Sequence, residues 1–241
     1  STRKLSVTVY QGDKSVPRDE ESYALWRSLG IPEERIAFLG TDNFWIAGET
    51  GPCGPSTEMF YWTGDEKAPA KFDPQDNRWV EIWNDVFMAY TKKEDGSVFP
   101  LKQKNVDTGM GLERTLAVLN GKKSAYETDL FLPIIQKIEQ LSGKSYAQET
   151  RSMRIIADHI RASVFVMGDE NAVLPSNVDR GYILRRLIRR IVRYGKIIGI
   201  NTLFTTELAK MVVQEYNDLY PELDQNKVKI YTELQKEEEK F

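Results

Sequence analysis

An α+β fold is predicted from three features of the 241-residue sequence. To about residue 145 short strands alternate with turns and two or three helices. From about Glu149 the apolar residues switch to the 3.6-residue spacing of helices. No low-complexity linker and no internal repeat lies between the two parts. Strands followed by a run of helices suit segregated layers rather than a wound βαβ chain. The boundary is placed near Ser142 to Glu149, giving regions 1–145 and 146–241.

Leu5, Val7 and Val9 alternate with Ser6, Thr8 and Tyr10, the pattern of a strand. Asp19 to Leu29 reads as a short helix stopped by Gly30 and Pro32. Residues 43 to 62 carry Gly48, Gly51, Pro52, Gly54 and Pro55, a density of turn formers that predicts a loop, with a strand leaving it from Glu58 to Trp62. Val80 to Tyr90 is a nearly continuous apolar and aromatic run, predicted to be a buried strand that turns Asn84 inward. Asp95-Gly96 marks a hairpin turn, Asn105 to Thr108 another strand, and Leu112 to Leu119 a helix. Beyond residue 149, Met153, Ile156, Ala157, Ile160 and Val164 line one helical face, and Ile183, Leu184, Leu187, Ile188, Ile191 and Val192 line a second. Leu203–Leu219 and Gln225–Phe241 predict two more helices, the last strongly charged.

Composition limits the function classes. Hydrophobic residues make up 41% of the chain, enough to bury a real core. With a net charge of −3, any attraction for nucleic acid must be local. Cys53 is the only cysteine and His159 the only histidine, so neither a disulfide within the chain nor a cysteine-based zinc site is expected. A single cysteine suits a reducing, cytoplasmic setting. No run approaches a membrane span, and residues 1 to 5 lack the apolar core of a signal peptide. The strand pattern begins at once, as in a piece of a longer chain. Gly143-Lys144-Ser145 resembles the end of a phosphate-binding loop, but the glycine required five residues earlier is Ile138, and that reading is rejected.

Four segments carry candidate chemistry. Asp107-Thr108-Gly109-Met110-Gly111-Leu112-Glu113-Arg114 runs from a strand through two glycines into a helix. Glycines there let the backbone approach a planar ligand, Arg114 in the first helical turn can pair with phosphate, and Asp107 can hold an ammonium; an ordinary strand–helix turn has the same pattern. Asp42-Asn43-Phe44-Trp45, with the glycine-rich stretch after it, suits either a pocket wall or a Trp buried under a tight loop. Asn84 within its apolar strand is either a structural bridge or a ligand contact. Finally, Pro175-Ser176-Asn177 precedes a stretch from Arg180 to Lys196 with six Arg, one Lys and no acid. Arg185, Arg189 and Arg193 recur every four residues, and Arg186 and Arg190 widen that face. Such like-charge spacing costs helix stability unless an anion offsets it. RNA phosphate is one candidate, and the acidic C-terminal stretch Glu237-Glu238-Glu239 is the other.

In this order and spacing the segments resemble the alanyl-tRNA synthetases, a class II family, along nearly the whole chain. The resemblance rests on Asn43-Phe44-Trp45 with Thr50-Gly51-Pro52-Cys53-Gly54-Pro55, on Glu81 to Met88, on Val106 to Arg114, on Ala157-Asp158-His159-Ile160-Arg161 and on Pro175 to Arg193. It implies that 1–145 is the later part of a class II catalytic domain with an antiparallel sheet, including motif 3 at Asp107–Arg114. Region 146–241 would be the start of a helical tRNA-recognition domain. It further implies ATP as substrate with Mg2+, alanine, and the tRNA(Ala) acceptor stem as partners, without a membrane. Arg114 and Asp107 would be the catalytic pair. Gly109, Gly111, Glu113 and Arg114 would meet ATP; Trp45, Asn84, Asp107 and Gly109 would meet alanine. Asn177 would help read a G:U wobble pair, while Arg180, Arg185, Arg186, Arg189, Arg190 and Arg193 hold the RNA backbone. The family's motifs 1 and 2 fall upstream of this sequence, which implies negligible activity for these residues alone. The alternatives are a pure RNA-binding module or one half of a split synthetase completed by a complementary chain. Ser56 stands where many members of the family carry a second cysteine.

Overall fold

A computed structural model describes the backbone of residues 2–241 and the side chains of residues 3–241. The chain divides into two compact units, Ser1–Ala125 and Tyr126–Phe241. This division falls earlier than residue 145 because the helix Leu132–Ser142 places Ile134, Ile135 and Ile138 in the helical core.

The first unit is built on a six-stranded sheet: β1 (Leu5–Tyr10), β2 (Ile36–Leu39), β3 (Phe44–Ile46), β4 (Gly51–Trp62), β5 (Trp79–Lys92) and β6 (Val98–Met110). The order is β2-β1-β4-β5-β6, with β3 added against β4. All pairings are antiparallel except β1 with β2. β1 is buried on both faces from Ser6 on. Val7 and Val9 pack with Ile31 and Ile36, and Ser6 and Thr8 point to the opposite face. Helix α1 (Glu20–Ser28) is capped by Asp19, whose carboxylate accepts from the Ser22 N–H at 3.0 Å. It is pinned to the sheet by Trp26 Nε1 donating to Thr57 Oγ1 at 2.8 Å.

Two strand expectations need correction. The Gly-Pro stretch predicted as a loop forms most of β4. Pro52 contributes only its carbonyl, accepting from the Ala47 N–H at 3.0 Å, and the register with β5 shifts between Cys53 and Ser56. A Cβ on Gly54 would lie 1.9 Å from the Phe87 carbonyl oxygen, so the glycine is there for strand contact rather than for a turn. Likewise β5 was expected to be buried, yet only Trp79 and Val86 are. It runs beside β6, which is exposed along nearly all its length. The hairpin joining them turns at Asp95-Gly96, with Gly96 at φ 82°.

α2 (Leu112–Leu119) follows β6 and ends the part of this unit that carries the motif. The second unit packs α3 (Leu132–Ser142), α4 (Thr150–Gly168), α5 (Asp179–Ile197), α6 (Thr205–Tyr216), α7 (Pro221–Gln225) and α8 (Lys227–Glu239). The predicted stripe on α4, Met153 to Val164, is fully buried, against Leu184, Ile188 and Ile191 of α5 and Leu208 and Val212 of α6. Two buried glutamates of α8 tie the bundle together. Glu238 accepts from the Phe204 and Thr205 N–H groups at 3.0 and 3.1 Å, satisfying the start of α6, and Glu237 pairs with α5. No helix among the described residues is long and apolar enough to cross a membrane.

Candidate active site and candidate nucleic-acid face

Cross-strand register assembles the first site. Thr8 of β1 stands opposite Glu58 of β4, Glu58 opposite Asn84 of β5, and Asn84 opposite Gly109 of β6. One step along, Ser56, Val86 and Asp107 form the neighbouring row on the same face. Glu81 lies three residues before Asn84, a spacing that in a regular strand points to the other face. An irregularity in β5 changes this. Met59 pairs with Trp83 but Phe60 pairs with Glu81, so Ile82 is the extra residue and Glu81 joins Asn84 on one face.

Arg114, in the first turn of α2, reaches back to that face. Its Nη1 donates to the Glu81 carbonyl at 2.8 Å and to Glu81 Oε2 at 3.1 Å. Gly111 makes this possible, since a Cβ there would sit 2.8 Å from Arg114 Nε. Around Gly109 a Cβ would meet nothing within 4 Å, leaving open space above the row. Asp107 is exposed, and one of its oxygens accepts from the Thr108 N–H at 2.8 Å. Asn84 Oδ1 is buried and has no hydrogen-bond partner. Trp45, 36% exposed, stands opposite Gly54 in register. Glu113 is half-buried at the start of α2.

A polar relay that no local sequence pattern marks supports this face. Buried Asn43 donates from Nδ2 to Thr8 Oγ1 at 2.8 Å, and Thr8 Oγ1 donates to Glu58 Oε2 at 3.1 Å. Burial first, and then the neighbouring Glu81, push the Glu58 pKa above the ordinary glutamate value. Nothing local in the sequence marks Glu58, because its partners lie 50 and 26 positions away and meet it only through strand register. Cys53 is buried, and burial raises its pKa as well. No group of three or more His, Cys, Asp or Glu side chains among the described residues is placed to hold a metal ion.

The second site is the arginine-bearing helix α5. At about 100° per residue, Arg186, Arg189, Arg190 and Arg193 fall within an arc of about 100°. All four are exposed, as is Arg180 in the first turn. Phe241 borders the same concavity as those four. Arg186 and Arg190 lie over the rings of Tyr182 and Tyr194 at 5.9 and 6.0 Å.

Arg185 does not stand with them. It lies beside the buried stripe and forms a two-pronged ion pair with Glu237 of α8, Nε to Oε2 at 2.9 Å and Nη2 to Oε1 at 3.0 Å. The sequence leaves RNA and the acidic C-terminal stretch open as partners for this face; Arg185 takes the second, and among the described residues no ion pair joins the outward arginines to that stretch. Its Nη1 donates to Asn177 Oδ1. Asn177 is exposed, and its loop is fixed on both sides. The Ser176 N–H donates to the Gly181 carbonyl at 3.1 Å, and Ser176 Oγ donates to the Val178 carbonyl at 2.9 Å. A Cβ on Gly181 would lie 2.2 Å from Ser176 Oγ. With its oxygen engaged by Arg185, Asn177 offers its amide N–H groups outward.

Compared with known proteins, residues 1–241 match the family described as tRNA synthetases class II (A). The chain is 51% identical over 248 residues to the alanine–tRNA ligase of Borrelia hermsii, covering 100% of this chain and 42% of that protein. The alanine–tRNA ligase of Treponema pallidum is 50% identical over 248 residues, with 100% and 41% covered. That of Anaeromyxobacter dehalogenans is 45% identical over 251 residues, with 99% and 28% covered. The chain therefore spans less than half the length of the relatives it matches.

Proposed function

Because this chain belongs to the class II tRNA synthetases, we propose that it carries motif 3 of an alanine–tRNA ligase on its sheet and the acceptor-stem face on its helices. The observation that carries the reading is the single sheet face on which Glu81, Asn84, Asp107 and Gly109 meet, with Arg114 folded back onto it. That face combines an anchor for a cation, a cation for phosphate and an open floor between them. The full-length protein would work in the cytoplasm.

In the first step an alanine carboxylate oxygen attacks the α-phosphorus of ATP, and the bond to pyrophosphate breaks. In the second, a hydroxyl of the terminal tRNA ribose attacks the alanyl carbonyl carbon and AMP leaves. Neither step needs a side-chain nucleophile, so positioning and charge are what the protein supplies. Asp107 holds the α-ammonium of alanine. Asn84 and Trp45 bound the small pocket for the amino acid, and Gly109 leaves the ligand room to lie against β6. Glu113 and Gly111 lie at the ATP side with Arg114, which exchanges its contact with Glu81 for phosphate oxygens. Magnesium would be held by the Glu81 carboxylate, once Arg114 turns to phosphate, together with substrate phosphate oxygens, since this ion is commonly bound by one or two carboxylates plus phosphates. Bound there, it would offset phosphate charge.

On the helical unit, Arg180, Arg186, Arg189, Arg190 and Arg193 hold RNA phosphates, and Asn177 reads a base edge of the wobble pair in the acceptor stem. Alanine-dependent pyrophosphate exchange, in a polypeptide of the relatives' full length, tests the sheet assignment. Asp107→Ala is expected to raise the KM for alanine, losing about 1.5–3 kcal/mol of a charge-assisted contact. Arg114→Ala is expected to raise the KM for ATP instead. The reverse pattern sinks the assignment.

A further inference from the structure

We infer that Arg185 and Glu237 are positioning residues for Asn177: the carboxylate of α8 holds the guanidinium of α5, which in turn holds the asparagine amide in one orientation. The inference rests on the proposed reading of Asn177 as a residue that discriminates base pairs in the acceptor stem.

The geometry divides the labour of one guanidinium. Two of its nitrogens, Nε and Nη2, are taken by Glu237 in a fork, leaving Nη1 for Asn177 Oδ1. A planar guanidinium fixed at two points has no remaining rotation, so its third nitrogen presents a donor at a set position. The anchor is itself fixed, because Glu237 is 2% exposed and also accepts from Lys240 Nζ at 3.2 Å. Asn177 has its backbone held by the Ser176–Gly181 and Ser176–Val178 contacts, which leaves mainly its side-chain torsions undetermined. The Arg185 contact supplies that missing constraint and also sets which end of the amide faces out.

Packing alone does not account for the pair. Burying two charges costs desolvation that apolar side chains of similar size would avoid. The neighbouring Glu238 already fastens α8 to α6. An ion pair with a buried carboxylate on α8 that reaches through α5 to an exposed amide fits a positional task. A loop asparagine read without such a hold would sample several rotamers, and a displacement of about 1 Å at a recognition contact can cost on the order of 10²-fold.

The test compares aminoacylation of two RNA minihelices, one with the wobble pair and one with G:C, by the full-length protein. Arg185→Lys keeps the charge beside Glu237 but loses the fork; Glu237→Gln releases the guanidinium. Each is expected to lower the kcat/KM preference for the wobble stem by roughly tenfold. Alanine-dependent pyrophosphate exchange and the salt dependence of RNA binding are expected to stay as in the parent. In an Asn177→Ala background neither change is expected to lower the preference further. Where Glu237→Gln does not fold, as judged by circular dichroism, Arg185→Lys carries the test. Undiminished preference in Arg185→Lys, with preference lost in Asn177→Ala, overturns the positioning role and leaves the reading of Asn177 standing. Additional loss in the Asn177→Ala background also overturns it, since Arg185 would then act by another route. Preference retained in Asn177→Ala overturns the reading itself and the positioning role with it.

Discussion

Glu58 binds its proton more tightly than an ordinary glutamate because it is partly buried and faces Glu81, with Arg114 and the Thr8 hydroxyl compensating only in part. Keeping it ionised therefore costs folding free energy at neutral pH. For an acid whose folded pKa is raised, the favourable contribution is present below the unfolded value and is lost as pH rises through the folded one. Glu58→Gln is thus expected to raise the melting temperature at pH 7, with the gain shrinking toward zero below the ordinary glutamate pKa. Thermal unfolding at several pH values checks this; equal gains at low and neutral pH refute the assignment of the cost to ionisation. Glu237 behaves oppositely. Burial raises its pKa, but hydrogen bonds from Arg185 and Lys240 outweigh that and hold it below the ordinary value. Arg114 and Asp107 stand out as candidates in the sequence because two glycines at a strand–helix junction separate them, and Asn177 stands out only through the family resemblance. The relay of Thr8, Asn43 and Glu58 does not, since a hydrogen bond across 35 or 50 positions leaves no local pattern.

Elements were legible where one period dominated. α2 covers Leu112–Leu119 as predicted, and the stripe of α4 is buried residue for residue. The Gly-Pro stretch misled because the same residues serve turns and close strand contact. Gly54→Ala separates the two uses. A loop would tolerate the methyl, whereas in β4 it must displace the Phe87 carbonyl, with an expected loss of about 1–3 kcal/mol in denaturant unfolding. An unchanged midpoint would mean that the strand adjusts freely. On α5, charge spacing announced an anion-seeking face but could not sort its arginines; only the register of α8 shows that Arg185 turns inward. Arg186→Ala and Arg190→Ala are each expected to weaken wobble and G:C stems alike and to reduce the salt slope of binding by roughly one phosphate contact. RNA binding measured across salt concentrations decides, and unchanged affinity would remove this face from RNA binding.

At the scale of the molecule the two units have different cores. The helical unit shares one cluster from Phe131 to Leu234, in which Met153, Ile156, Ile160, Ile188 and Leu208 are fully buried. In the sheet unit two smaller clusters form, one around Val7 and Val9 and one around Trp62 and Trp79. Cutting into the larger core should be felt throughout the bundle. Ile160→Ala is expected to cost about 2–5 kcal/mol and to lower amide protection along α4, α5 and α6 together. Hydrogen exchange by mass spectrometry reads this out. Loss confined to α4 would show that the helices do not unfold as a unit.

The sequence alone determined the class of fold, four of the helices beyond residue 149 and the arginine-rich face, because each follows from short-range periodicity or from residue types adjacent in the chain; the short α7 leaves no such pattern. Tertiary structure decided what the strands share. Glu81 and Asn84 come to one face through an irregularity of one residue, Glu58 joins them through register, and Arg185 leaves the outward arginines for Glu237. These outcomes depend on which strands and helices become neighbours. That choice is made by burying apolar faces contributed from distant parts of the chain, so no single window of sequence contains it.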